Sequence, residues 1–413
     1  MSVVSTAARL EAASSAKWRS TAAVSIGMGL VGSVVLAVLA ARHATPSEVS
    51  PVVPRGGWST AWTVGLSAAF VLYGVGAWLA HAGRLRLRLA LAVAIAVQAA
   101  PLAAPLLLSK DAFLYWGEAR VLTVHHANPY RSTPADYPAD PAFRHVSESW
   151  RAQPTPYGPA WVVVGAAPAL VAGTSAHRAE LAYRVLALIA LLAAIVLVAL
   201  RTRSAAAVAF LGWSPLLALH IAGGGHSDAV MMVLVLAAVA AGTSGWGGAL
   251  WPVASAFKPF PPILVPLELA KRRLIVGARW WIGLAASAAA VAGIATLLFD
   301  TAWIRAATTG AHQASPLGGV HWLTQLGLTH RNAVIGAAAM FLVVYAALLR
   351  DAWRRGRAHL SLAASALCLT SSLLRPWYAL WPVALAALEE DALAAVVAYG
   401  LTGYLLFGDA VQL

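Results

Sequence analysis

One cysteine in 413 residues, Cys368 inside an apolar run, leaves no disulfide framework and no cysteine-rich metal site. Charge is also scarce: 11% of the chain is charged and 60% hydrophobic, with a mean hydropathy of +0.73. A soluble domain of that composition would expose large apolar surfaces, so lipid is the expected solvent. No internal repeat and no low-complexity tract beyond Ala/Leu/Val enrichment is visible, which weakens an inverted-repeat transporter. Nor is there a basic stretch interleaved with aromatics, so the formal charge of +13 does not point to nucleic acid. The Lys and Arg residues fall instead in short clusters between apolar runs, a topology signal and a basic surface for anionic headgroups.

What is present is a series of apolar stretches, near 21–41, 58–80, 89–108, 181–200, 204–222, 229–243, 245–257, 259–270, 280–298, 332–349, 358–373, 377–388 and 392–408. They predict an all-α, polytopic transmembrane bundle of about 11–13 spans, a single membrane domain over residues 1–413. Several are shorter than the ~17 residues a straight span needs, which predicts helices that stop inside the membrane or are paired through a break. Residues 160–173 are expected to form a re-entrant or surface helix. The stretch Thr21 to Ala41, preceded by Arg9, Lys17 and Arg19, is too long for a signal-peptide core and is expected as a retained first span.

The clusters Arg84/Arg86/Arg88, Arg201/Arg203, Lys271/Arg272/Arg273 and Arg350/Arg354/Arg355/Arg357 fall on one side of that topology, the expected cytoplasmic side. The inserted loop 109–160, the loop 301–331 and the turns at Gly223–Asp228 and Arg375–Tyr378 then open on the opposite, extracytoplasmic face. Asp111, Tyr115 and Glu118 share one helical face just after the third span. A carboxylate against an apolar wall has a route to a raised pKa and to work as a general base; Asp111 as a helix cap and Glu118 as an arginine partner is the plainer alternative.

Asn128-Pro129-Tyr130 and Pro156-Tyr157-Gly158-Pro159 read as a folded lid whose rings lie flat on a sugar or seat the loop at the headgroups. Gly223-Gly224-Gly225-His226-Ser227-Asp228 opens an apolar helix and offers backbone donors to a phosphate, with Asp228 as N-cap the alternative. Lys258-Pro259 and Arg375-Pro376-Trp377-Tyr378 each place one cation at a break in apolar sequence, a partner for a lipid-linked phosphate or a snorkelling side chain. His312, His321 and His330 in the 301–331 loop have no ligand spacing, and no metal or other cofactor is expected.

In this order the motifs resemble the actinobacterial polyprenol-phosphomannose-dependent mannosyltransferases, nearest the α-1,6-mannopyranosyltransferase branch, over residues 105–385. The resemblance implies a glycosyltransferase C fold with a large extracytoplasmic catalytic loop after the third span. It implies transfer of mannose from a polyprenyl-phosphate donor to a cell-envelope glycan or glycolipid, with inversion at C1. Asp111 would be the catalytic base and Lys258, Arg375 and His226 the donor-phosphate ligands. Tyr115, Glu118, Asn128, Tyr130, Tyr157, Asp228, Trp377 and Tyr378 would bind substrate. An arabinosyl donor, or a flippase of lipid-linked saccharide, is the alternative.

Overall fold

The computed structural model of the chain describes residues 3–44, 54, 56–305 and 314–411, with side chains described between residues 21 and 410. His312 and the side chains of Arg9, Lys17 and Arg19 lie outside the described residues. In chain order the principal helices are α1 (Val3–Ala44), α2 (Gly57–His81), α3 (Leu87–Ala99), α4 (Asp111–Thr123), α5 (Pro159–Ala172), α6 (Ala176–Thr202) and α7 (Ala205–Gly212). They continue with α8 (Asp228–Ala241), α9 (Gly245–Ser255), α10 (Ala278–Phe299), α11 (His330–Arg355), α12 (Leu360–Thr370), α13 (Leu380–Glu389) and α14 (Ala392–Leu405). No strand occurs among the described residues.

Among the described residues six helices are long and apolar enough to cross a membrane: Thr21–Ala44, Gly57–His81, Ala176–Thr202, Ala278–Phe299, His330–Arg355 and Ala392–Ala410. Ala205–Gly212 and Pro215–Ala222, bent by 45° across the break at Ser214, pass the same test when taken together. α10 and α11 bury only 11% of their apolar windows and expose Ile282, Leu297, Leu342 and Val343. Such rows of bare aliphatic side chains require hydrocarbon around them, and the chain is a multi-pass membrane protein.

The remaining apolar stretches are too short to cross alone, and at two of them proline is the local reason. The expected stretch 89–108 ends as helix at Ala99 and becomes a single 3₁₀ turn over Ala100–Ala103, around Pro101 and ahead of Pro105. The expected stretch 259–270, with Pro259, Pro261, Pro262 and Pro266, yields a 3₁₀ turn and a seven-residue helix, Val265–Lys271. Each proline removes a backbone donor and fixes φ, so no long helix propagates through these positions. α5, at 14 residues, occupies the segment expected as a re-entrant or surface helix.

The basic clusters do gather at one end. Arg201, Lys271 and Arg357 line a polar pocket of about 410 Å³ with Val239 from the far end of α8. Gly83, Leu85 and Ser204, chain neighbours of the other clustered arginines, line an adjoining apolar cavity of about 1130 Å³, and Asp391 borders both. Asp228, at the start of α8, is roughly 16 Å along the helix from Val239, so the polar breaks lie toward the opposite end.

Candidate active site

The site is built where helices stop. α3 ends at its prolines, Leu108 takes a left-handed φ of 60°, and Ser109 Oγ accepts from the backbone N–H of Asp111 at 3.1 Å to start α4. The second break is the glycine run after the π-helical turn Ala218–Ala222. The N–H of Leu107 donates to Gly223 O at 3.0 Å, joining the two breaks. Arg184 of α6, only 1% exposed, bolts the junction by donating to the carbonyl oxygens of Pro101, Ala104 and Ala222. A guanidinium spends its several donors well on carbonyls that a broken helix leaves bare.

That junction sets His226 against Asp111. Nδ1 of the buried imidazole lies 3.4 Å from Asp111 Oδ2, and the Tyr157 hydroxyl donates to the same oxygen at 3.4 Å. Gly224 is needed here because a Cβ would lie 3.0 Å from the His226 ring, and Gly225 sits at a φ of 76°. The other face of the site comes from the Arg375 break: Trp377 stacks on His226 with centroids 3.6 Å apart and rings 15° from parallel.

Asp111 is therefore not a helix cap, and its carboxyl does not follow the expected upward shift. Burial pushes its pKa up, but the hydrogen bond and charge of His226, with Ser109 and Lys258, outweigh this and hold it below the ordinary carboxylate value. The raised carboxyl is Glu118, about two turns along the same helix, pushed up to about 8 by burial, with Thr155 pulling the other way and the Asp111 charge adding to the rise. Glu118 does not pair with arginine. Thr155 Oγ1 donates to its Oε2 at 2.9 Å, Oε1 has no hydrogen-bond partner among the described residues, and Arg120 turns to Asp140 at 2.7 Å.

Asp228 is fully buried and is not an N-cap either. Its Oδ2 lies 2.6 Å from Lys258 Nζ, and Trp381 Nε1 donates to Oδ1 at 2.8 Å. Gly158 brings the Lys258 segment to Asp111: its N–H donates to Phe257 O at 3.2 Å, and a Cβ there would fall 2.1 Å from Ala256 O. Tyr157 and Tyr378 both offer ring faces to the Lys258 ammonium, at 6.0 and 5.1 Å. Tyr115 reaches Ser227 at 3.5 Å and packs edge-on to Tyr157. The Arg375 guanidinium makes no ion pair or hydrogen bond among the described residues and stands 6.0 Å from the Trp377 ring centroid.

Asp111, Tyr115, Tyr157, His226, Asp228, Lys258, Trp377 and Tyr378 thus converge on one cluster, with Arg375 at its border. Asn128 and Tyr130 are placed differently. Asn128 Nδ2 donates to Phe299 O at 2.7 Å and the Tyr130 hydroxyl to Tyr157 O at 2.8 Å, so they fasten the loop to the end of α10 and to the Tyr157 segment. His330 begins α11, and Trp322 beside His321 donates to the Tyr404 hydroxyl at 2.6 Å. Sequence reasoning missed Arg184, His220, Trp381 and Asp409. Trp381, four residues after Trp377, carried the only visible signal, since that spacing returns to one helical face. Among the described residues no group of three or more His, Cys, Asp or Glu side chains is placed to hold a metal ion.

The family model described as "Alpha-(1->6)-mannopyranosyltransferase, N-terminal domain" matches residues 26–305. Alpha-(1->6)-mannopyranosyltransferase B of Corynebacterium glutamicum is 30% identical over 151 residues, 35% of this chain and 25% of that protein. Alpha-(1->6)-mannopyranosyltransferase A of the same organism is 31% identical over 140 residues, 32% of this chain and 28% of that protein. The matched segment thus spans about a quarter of the length of these curated relatives. No solved structure matches the chain.

Proposed function

We propose that the chain, which belongs to the alpha-(1->6)-mannopyranosyltransferase family, is a membrane glycosyltransferase that moves mannose from a polyprenyl-phosphate donor to a cell-envelope glycan or glycolipid. The observation that carries this reading is Asp111: a part-exposed carboxylate with a depressed pKa, oriented by His226 and Tyr157 and acted on by the charge of Lys258. Mannosyl transfer is what the names of the relatives print, and the donor class rests on the chemistry of the site.

In this reading the acceptor hydroxyl faces Asp111. As its oxygen attacks C1, the O–H proton passes to Oδ1 of Asp111, the carboxylate oxygen not engaged by His226 and Tyr157, and the bond from C1 to the phosphate oxygen breaks. The electron pair leaves with the polyprenyl phosphate, and a single displacement inverts C1. His226 and the Tyr157 hydroxyl hold the carboxylate in one orientation, so little reorganisation accompanies proton uptake. The departing phosphate gains charge, and the unpaired Arg375 fork is the cation free to meet it. Lys258, already matched by Asp228, is shared with the phosphate. Such a reaction takes place on the extracytoplasmic face, opposite the basic end, with residues 109–160 as its catalytic loop. No metal or cofactor is assigned a role.

The test is transfer by purified protein in nanodiscs, with radiolabelled polyprenyl-phosphate mannose, a short α-mannoside acceptor and a chelator arm. Labelled product that persists in chelator and disappears in Asp111→Asn is the expected result. Product only from an arabinosyl donor corrects the sugar. Tight donor binding without any product moves the reading to transport of lipid-linked saccharide.

A further inference from the structure

A second imidazole approaches the same aromatic ring and brings a second carboxylate with it. His220 is fully buried, with its ring 6.0 Å from that of His226 and 5.9 Å from that of Trp377. Its Nε2 lies 3.5 Å from Oδ2 of Asp409, and neither ring nitrogen makes an aligned hydrogen bond among the described residues. Asp409 itself is 34% exposed, and its carboxylate interacts electrostatically with Arg375 and His226.

The two residues come from the π-helical segments among the described residues, Ala218–Ala222 and Leu406–Val411. Single π turns widen the backbone at the cost of hydrogen-bond geometry and occur mostly where a side chain must be re-aimed at a functional site. The second segment is held firmly. Trp62 Nε1 donates to Ala410 O at 2.6 Å in a buried contact, and a Cβ on Gly408 would fall 2.8 Å from Leu317. Asp409 lies beyond residues 26–305 of the family match, so it is a contribution of the C-terminal part of this chain.

We propose that Asp409 binds hydroxyl groups of the donor sugar and that His220 is the positioning residue that fixes it. The proposal rests on the transferase reading above and adds a specificity element to the same site. A carboxylate beside the phosphate-facing Arg375 would repel a phosphate in direct contact. Set back from the phosphate, it is an acceptor-only group suited to alcohol O–H donors, of which the sugar of a lipid-phosphate sugar has several and the sugar-free lipid phosphate none. His220, fully buried with its Nε2 3.5 Å from Asp409 Oδ2, supplies the fixed side against which Asp409 is set.

The experiment compares binding of polyprenyl-phosphate mannose and of sugar-free polyprenyl phosphate to the full chain in nanodiscs, for wild type, Asp409→Asn and His220→Gln. Thermal unfolding of each variant confirms a folded protein, and the milder His220→Gln stands in if Asp409→Asn does not fold. Loss of a hydrogen bond to a charged group predicts about a tenfold weaker affinity for the mannosylated lipid in Asp409→Asn, with sugar-free lipid within about twofold of wild type. His220→Gln shifts the same ratio in the same direction by less, and raises donor KM more than it lowers kcat. Equal losses for both lipids, unchanged affinity for both, or a rise confined to acceptor KM would overturn the proposal while leaving the transferase reading intact. A wild-type protein that transfers no sugar and does not distinguish the two lipids overturns both.

Discussion

Lys258 Nζ lies 2.6 Å from Oδ2 of Asp228, inside a wall formed by Trp381, Tyr378 and Tyr157. Of the two cations that the sequence offered to a phosphate, Lys258 is therefore already neutralised by the carboxylate at the start of α8, and Arg375 is the one without an ion pair among the described residues. This division of labour shapes the expectations that follow.

The base assigned to the reaction is the most direct to test. Asp111→Asn is expected to lower kcat by roughly 10²–10⁴, the usual contribution of a positioned general base, with donor affinity near wild type. Single-turnover transfer alongside donor binding checks this, and turnover within about threefold of wild type would remove Asp111 from the chemistry.

The Asp228–Lys258 pair should behave as a buried ion pair. Asp228→Leu alone leaves the ammonium uncompensated and Lys258→Met alone leaves the carboxylate so, each expected to cost about 3–5 kcal/mol, whereas the two together should recover most of that stability. Detergent unfolding of the two single variants and the double variant measures the coupling. Additive losses would mean that the pair is not the structural unit described.

Arg375→Lys keeps the charge but removes the planar fork. The expected result is a donor KM raised about tenfold or more and an acceptor KM unchanged, with Arg375→Ala worse in the same direction. A change confined to the acceptor would place Arg375 on the other substrate.

Glu118 carries a pH signature. Its carboxyl titrates near 4.5 when exposed and at about 8 in the folded protein, so the folded state holds the extra proton between those values. Stability from this group falls as pH rises from about 4.5 to about 8 and is flat beyond. Glu118→Gln cannot lose that proton, so its Tm should gain on wild type steadily across the window, while transfer persists at neutral pH. Parallel Tm curves for the two proteins would show that Glu118 ionises normally.

Gly158→Ala tests how the loop meets Lys258. A methyl group 2.1 Å from Ala256 O cannot be accommodated without moving backbone, so transfer should fall by more than about tenfold even if the protein folds. Unchanged activity would show that the Tyr157 and Lys258 segments reach the site independently.

The membrane class, the positions of the long helices and the gathering of basic clusters at one end were legible because each depends on composition or on contacts close in sequence. Apolar length against the thickness of a bilayer decides α2, α6, α10 and α11, and proline decides where α3 stops. The motif residues were legible because glycine, proline and lone charges are unusual inside apolar sequence. Their partnerships were not. Whether Asp228 caps a helix or neutralises Lys258, and whether Asn128 lines a site or fastens α10, depends on groups distant along the chain.

The sequence by itself determined that lipid surrounds this chain and that its polar chemistry sits at helix breaks, since hydrophobicity and backbone restriction are local properties of residues. Tertiary structure alone decided that the Asp111 pKa goes down while that of Glu118 goes up, and that His220 and Asp409 join the same cluster. Carboxyl titration responds to burial and to charges a few ångströms away, and neither quantity exists until the helices have packed.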